Sequence, residues 1–193
     1  MRLKTDLVIM GSGMAGISAA DAALARGKKV IVFEKKPYQG GAVSNCPIAY
    51  LSIRNDKDFQ NAAFHLLYEY SNYNANPSVI RQYVNNSWRT KEYIERLGIK
   101  MIPTQKLELE DIGNPKYADG FPPAIMAHGD FYLVPGRGKG HGGALICLNA
   151  MKDIIKRGGQ YMLNTPITDI LVDENGKVNG VKAVNNETKE EIE

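Results

Sequence analysis

Two short apolar runs, Leu3 to Met10 and Lys29 to Phe33, flank the turn Gly11-Ser12-Gly13-Met14-Ala15-Gly16, and Glu34 stands where the second run ends. No other feature restricts the fold as much. The first run contains Val8 and Ile9 and stops at glycine, which predicts a buried parallel strand. The Ala-rich segment after the turn spaces Ile17, Ala20 and Leu24 along one helical face, with Gly27 as its stop. Lys29 to Phe33 predicts a second strand, so residues 3–34 read as one β-α-β unit.

Each glycine in such a turn has a separate task. Gly11 permits the tight bend, Gly13 lets backbone approach a pyrophosphate, and Gly16 lets helix and strand pack closely. The helix N-terminus then offers unpaired N–H groups and the positive end of its dipole to phosphates. An acid about twenty residues further on accepts from ribose hydroxyls, and Glu34 occupies that place. Without its flanking strand, helix and acid the G-x-G-x-x-G string would be a common glycine-rich turn; together they predict a dinucleotide site. Glu34, where an Arg would accommodate a 2′-phosphate, disfavours NADP.

The remaining composition excludes more than it suggests. Of 193 residues, 44% are hydrophobic and 23% charged, ordinary for a globular chain. Lys and Arg number 24 against 21 Asp and Glu, scattered along the chain, which argues against a nucleic-acid partner. Cys46 and Cys147 form no Cys-x-x-Cys pair, and His65, His128 and His141 have no metal-ligand spacing, so neither a disulfide framework nor a metal site is expected. This usage predicts a reduced, cytoplasmic protein. The N-terminal apolar run is too short and too interrupted by glycine for a signal peptide, and no stretch approaches the ~20 apolar residues of a membrane span.

After Glu34 the chain does not proceed to another strand and crossover helix. It continues Lys35-Lys36-Pro37-Tyr38-Gln39-Gly40-Gly41-Ala42-Val43-Ser44, removing side-chain bulk a few residues past the acid. A long cofactor that needs close backbone approach at a second place accounts for this. The pattern E-K-x-x-x-x-G-G-A-x-S behind the dinucleotide motif resembles the FAD-binding domain of the fumarate reductase/succinate dehydrogenase flavoprotein family. "YIERLGIKM" and the stretch from Gly142 to Val184 resemble the same family, so the likeness covers nearly the whole chain and is loosest between Pro103 and Pro135.

The resemblance implies an α/β, Rossmann-like FAD-binding fold with a β-meander. It implies that Gly11, Ser12, Gly13, Met14, Ala15 and Gly16 hold the pyrophosphate, that Glu34, followed by Lys35, holds the adenosine ribose, and that the backbone of Ile167 meets the adenine. Gly40, Gly41, Ala42 and Ser44 would line the ribityl and flavin side. Membrane-complex members carry a His shortly before their Gly-Gly that bonds covalently to the flavin; "KKPYQ" stands there in this chain, so FAD is expected to be non-covalent. The continuation "NCPIAY" departs from the family's usual Gly- or Ala-rich sequence on the substrate side of the flavin.

The implied activity is that of an FAD-dependent oxidoreductase, with hydride passing between flavin and a small organic acid such as fumarate or succinate and an iron–sulfur subunit as a possible electron-transfer partner. An adenylylsulfate-reductase-like flavoprotein subunit and a non-catalytic FAD-binding module are the rival readings. No residue is assigned a catalytic role; His128, Asp130 and Arg137 are conceivable substrate-side groups.

Helical spacing predicts an amphipathic helix over Lys57 to Tyr73, capped by Asn55 or Asp56, and a helical stretch from Pro77 to Gly98 with Ile80, Tyr83, Val84, Ser87, Trp88, Lys91 and Ile94 along its stripe. Ile99 to Ile102 predicts a short strand, and Pro103 to Pro135 a loop-rich excursion with at most a short hairpin. "GRGKGHGG" is not a Walker A loop, because Gly140 follows Lys139 where Ser or Thr is required. It predicts a flexible lead into a helix from Ala144 to Arg157, with Arg137, Lys139 or His141 as candidates for an anion. That helix is expected to bury Leu145, Leu148, Met151 and Ile155. A strand at Gln160 to Leu163 and a hairpin turning at Asn175-Gly176 follow, then the polar beginning of a third meander strand. The expected organisation is the N-terminal part of one FAD-binding domain: the β-α-β unit, a helical and loop excursion over residues 55–135, and helix and meander over residues 140–193. The capping domain and the rest of the cofactor site are expected beyond it, with an unpaired sheet edge at the cut meander.

Overall fold

The two apolar runs beside the glycine turn become parallel neighbours. Strand β1, Leu7–Met10, pairs with β2, Val30–Phe33, in the register Leu7 to Val30 through Met10 to Phe33. The computed structural model describes residues 1–45, 49–100, 102–106, 129–133 and 142–193. His128, Arg137, Lys139, His141 and Cys46 lie outside them, and of Asp130 only the backbone is described.

The chain forms two compact units, Met1–Pro47 with Gly136–Glu193, and Ile48–Pro135. In the first, helix α1, Met14–Leu24, follows the glycine turn and buries Ile17 and Ala20. Every side chain of β2 is buried, as expected of a parallel strand covered on both faces. Ile31 and Phe33 pack with Ala183 and Ile192 of the meander, and Val30 and Val32 point to the opposite face.

Along β2's other edge runs β6, Gln160–Met162, also parallel, giving the order β1-β2-β6. Helix α5, Gly142–Lys156, feeds into β6. Its buried stripe is Ile146, Cys147, Ala150 and Ile154, not the Leu145, Leu148, Met151 and Ile155 expected, and Ile155 is half exposed. Both sets satisfy three-four spacing. The observed face carries smaller residues at Cys147 and Ala150, and Cys147 lies against the backbone of Gly40, where a Leu would not fit. Arg157 closes the helix by binding the carboxylates of Asp21 on α1 and Asp153 one turn back.

The meander runs β7, Ile167–Val172, β8, Val178–Val184, and β9, Glu191–Ile192, all antiparallel, and Gly176 takes the left-handed conformation at the hairpin turn. The free edge expected there is partly closed. Leu3 N–H donates to Glu193 O and Glu193 N–H to Met1 O, so the N-terminal residues lie beside the last ones as an additional pairing.

The second unit departs further from expectation. Strands β3, Ala49–Ile53, β5, Gly129–Leu133, and β4, Ile102–Lys106, form an antiparallel sheet in that order. β3 was not anticipated, and β4 begins where the expected Ile99 to Ile102 strand was to end. Helix α2, Lys57–Tyr70, is capped by Asp56, whose carboxylate accepts from the N–H groups of Asp58 and Phe59. It stops three residues short of Tyr73, and both Tyr70 and Tyr73 are exposed.

The Pro77 to Gly98 stretch is two helices, α3, Pro77–Asn86, and α4, Arg89–Arg96. Between them Ser87 Oγ accepts from Ile53 N–H at 2.9 Å. Ile80, Val84, Ser87 and Ile94 of the expected stripe are buried, whereas Tyr83 is exposed and Trp88 half-buried. Among the described residues no helix is long and apolar enough to cross a membrane.

Candidate functional site

The glycine turn is fixed by contacts that only glycine permits. A Cβ on Gly16 would overlap the carbonyl oxygen of Gly11 and press on Ile9, so α1 sits on β1 with no room for a side chain. Gly11 has φ +91°, and its N–H donates to Phe33 O at 2.7 Å, extending the parallel ladder one step past the strand. No side chain caps α1 at Gly13. Ile17 N–H reaches Gly13 O, so the N–H groups of the first turn, at Met14, Ala15 and Gly16, precede any intrahelical partner.

Glu34 is 5% exposed and carries three hydrogen bonds. Its Oε2 accepts from Ser12 N–H at 2.9 Å and from Ser12 Oγ at 2.8 Å, and its Oε1 accepts from Lys36 N–H at 2.9 Å. Burial alone would raise its pKa. The Ser12 and Lys36 N–H groups, the Ser12 hydroxyl and the Lys35 charge outweigh burial and hold it below the usual carboxylate value. A carboxylate has about four lone-pair sites, so one remains on Oε1. The acid braces the turn as well as facing the cleft, a function that spacing alone does not disclose.

Downstream of Glu34 the backbone is stitched to the strand end of β6. Glu34 N–H donates to Met162 O, Thr165 N–H to Glu34 O and Asn164 N–H to Lys36 O, each at 2.8 Å. Thr165 is fully buried, and these bonds bring Pro166 and Ile167 to the same opening as Glu34. The second glycine pair arrives from another direction. Gly40 is buried at φ +104°, and a Cβ there would meet Cys147 Sγ at 2.7 Å and Ser44 Cβ at 2.9 Å. Val43–Asn45 then makes a single 3₁₀ turn, in which Ser44 Oγ donates to Gly41 O.

These segments enclose a cleft of about 530 Å³, lined by residues 10–13, 33–36, 41–45 and 166–167 in part. Of the expected site residues, Gly11, Gly13, Glu34, Lys35, Gly41, Ala42 and Ile167 line it. Ser12 and Gly40 are buried behind its wall, Gly16 is at the helix–strand crossing, Met14 and Ala15 are in the first turn of α1, and Ser44 shapes the 3₁₀ turn. Met10, Phe33, Lys36, Asn45 and Pro166 also line it and had not been singled out.

Cys147 and Tyr161 were missed as well. Burial pushes the Cys147 thiol up to about 11, so it is an inert packing group and not a nucleophile. Burial chiefly, helped by Cys147 and Glu34 and opposed by the nearby Ser12 hydroxyl, pushes Tyr161 up to about 12. Its hydroxyl meets no partner in hydrogen-bond geometry among the described residues. The local signal for both is weak: Cys147 on α5 and Tyr161 in β6 lie far along the chain from Gly40 and Ser12.

Residues 6–193 match a family described as FAD binding domain. The NADH:fumarate oxidoreductase of Klebsiella pneumoniae (strain 342) is 27% identical over 198 residues, a match spanning 97% of this chain and 19% of that protein. Among solved structures, the open conformation of a flavocytochrome c3 fumarate reductase superposes with a TM-score of 0.73 at 18% identity, over 97% of this chain and 32% of that one. The 3-ketosteroid-Δ4-(5α)-dehydrogenase of Rhodococcus jostii RHA1 superposes with a TM-score of 0.72 at 19% identity, over 97% of this chain and 43% of that one. The chain thus spans less than half the length of each of these proteins, and the two structural likenesses establish the α/β FAD-binding fold.

Proposed function

The chain belongs to the FAD binding domain family, and from that premise we propose that the cleft between the two glycine turns holds FAD without a covalent bond. The pyrophosphate takes the first-turn N–H groups of α1 at Met14, Ala15 and Gly16, with Gly11, Ser12 and Gly13 giving backbone approach. Glu34 accepts one ribose hydroxyl on Oε1, Lys35 flanks it, and the backbone of Ile167 meets the adenine. Gly40, Gly41, Ala42 and Ser44 lie toward the ribityl chain and flavin.

The observation that carries this reading is the convergence of four separated segments on one cleft. Its walls fit the group: a Cβ would collide at Gly16 with the Gly11 carbonyl and at Gly40 with Cys147 and Ser44, so both turns stay bare of side chain, which suits close approach of a phosphate-bearing chain. When bound, FAD supplies two-electron redox chemistry. The protein's contribution at this cleft is to fix the cofactor's adenosine half and to keep Glu34 ionised beside it. The non-covalent claim is supported by Lys35 to Gln39, which places no His before Gly40.

For the whole protein, the activity we propose is hydride transfer between FAD and a small organic acid of the fumarate/succinate type. Its electron partner in this reading is a separate electron-transfer subunit such as an iron–sulfur protein, and its place is the cytoplasm. The sequence likeness to NADH:fumarate oxidoreductase supports the substrate class.

The test is titration of the full-length protein with FAD, followed by flavin fluorescence. Saturable binding is expected, with all flavin released on denaturation without proteolysis. Absence of binding would remove the cofactor assignment, and colour kept by the denatured chain would remove the non-covalent one.

A further inference from the structure

Ser12 is fully buried, yet its hydroxyl joins three parts of the site. It donates to Glu34 Oε2 at 2.8 Å and accepts from Gly40 N–H at 3.1 Å. One oxygen therefore connects the pyrophosphate turn, the ribose acid and the start of the second glycine turn. Gly40 is held on its other side by Cys147 and Ser44, whose atoms occupy the space a Cβ would need. The turn that follows is bonded within itself, through Ser44 Oγ to Gly41 O and Asn45 N–H to Ala42 O. A turn bonded within itself and tied to the Ser12 hydroxyl at its start moves with that hydroxyl.

We infer that Ser12 is a positioning residue that sets the distance between the two glycine turns, and so selects a ligand long enough to span both. The inference rests on the FAD reading. An adenine nucleotide that ends at its second phosphate touches only the Gly11–Gly16 turn, Glu34 and Ile167. FAD touches these and the Gly40–Ser44 turn as well. Removing the hydroxyl frees the Gly40 N–H and loosens the second turn, a loss felt by FAD and not by the shorter nucleotide.

The experiment compares the unaltered protein with Ser12→Ala, using FAD and ADP as separate probes. FAD affinity is expected to fall about tenfold, and the ratio of FAD to ADP affinity to fall at least about fivefold, the scale of one lost buried hydrogen bond. In the ligand-free protein, exchange of the Gly40 amide hydrogen, followed by nuclear magnetic resonance, is expected to accelerate. Equal weakening of FAD and ADP would show that Ser12 serves Glu34 alone and would overturn the inference, as would unchanged exchange at Gly40. If Ser12→Ala does not fold, Ser12→Cys takes its place: a thiol is a weak donor and acceptor, so intermediate affinity ratio and exchange are expected, and wild-type behaviour in it would be just as fatal. A protein that binds neither nucleotide would refute the cofactor reading, whereas the Gly40 exchange still reports whether Ser12 anchors the second turn.

Discussion

In the unit that contains the cleft, the tightest places are glycines pressed on by their neighbours. Gly16 stands against the Gly11 carbonyl, and Gly40 is packed by Cys147 and Ser44. In the helical unit the tight places are side chains against side chains: Ile53, Ala63, Ile80 and Val84 form a core, with Phe64, Leu67 and Tyr68 partly buried around it. The first unit has, beside its apolar core of Ile31, Phe33, Ala183 and Ile192, positions where nothing larger than hydrogen is tolerated; the second has a core where methyl groups must be present. Backbone approach at a glycine leaves room for a ligand's phosphates, whereas a filled core leaves none.

The largest expected effect comes from Gly16→Ala. The new methyl would overlap a backbone carbonyl that no rotamer change can move, so the loss should exceed the about 3 kcal/mol that ordinary overpacking reaches. With domain stabilities of about 5–15 kcal/mol, thermal unfolding should drop sharply and FAD binding disappear. A variant of wild-type stability would break the claim that backbone contact sets this unit. Next is Ile53→Ala, which empties a fully buried site in the helical unit and should cost about 2–5 kcal/mol in urea unfolding. A cost below about 1 kcal/mol would mean that the site collapses freely and that the core is looser than its burial implies.

Glu34→Ala is expected to act on both stability and ligand. It orphans Ser12 N–H and Lys36 N–H and removes a charged acceptor, so FAD affinity should fall tenfold or more, equivalent to about 1.5–3 kcal/mol. Full affinity in that variant would show that the acid is a brace with no part in holding the cofactor.

The same contrast governs what could be read from sequence. The β-α-β unit was legible because glycines and an acid at fixed intervals are local punctuation: Gly11, Gly13, Gly16 and Glu34 need only each other's spacing to be recognised. Helix α2's cap at Asp56 and the turn at Gly176 were legible for the same reason. The break between α3 and α4 was not, because it occurs where Ser87 accepts from Ile53 N–H, and Ile53 belongs to a strand paired with residues far along the chain. Strand β3 was hidden likewise: Ala49–Ile53 becomes a strand through partners at Gly129–Leu133. The face of α5 was misjudged because spacing cannot distinguish two adjacent stripes, and what selects Cys147 is the bare backbone of Gly40. Periodicity finds an element's existence; its register is decided by what it meets.

The smallest effect, and the one that distinguishes the two units most cleanly, depends on pH. Glu34 has a folded pKa below its ordinary value of 4.5, since the hydrogen bonds from Ser12 and Lys36 overcome burial. A depressed folded pKa contributes stability that is fully present above about 4.5 and is lost as pH falls through the folded value. Apolar burial at Ile53 has no proton to gain, so the gap between wild type and Ile53→Ala should not follow this titration. The gap between wild type and Glu34→Gln should. At neutral pH Gln cannot match the charged acceptor and turns an N–H₂ toward donors, so it is less stable. Protonated Glu34 presents the same neutral donor and acceptor as Gln, and the gap should therefore narrow only below pH 4.5. Urea unfolding of the three proteins from pH 7 to pH 3 measures it. A wild type that gains stability over Glu34→Gln as pH falls toward 4.5 would mean that burial, not hydrogen bonding, dominates at Glu34, and the acid would then be a strained ligand group instead of the brace of the glycine turn.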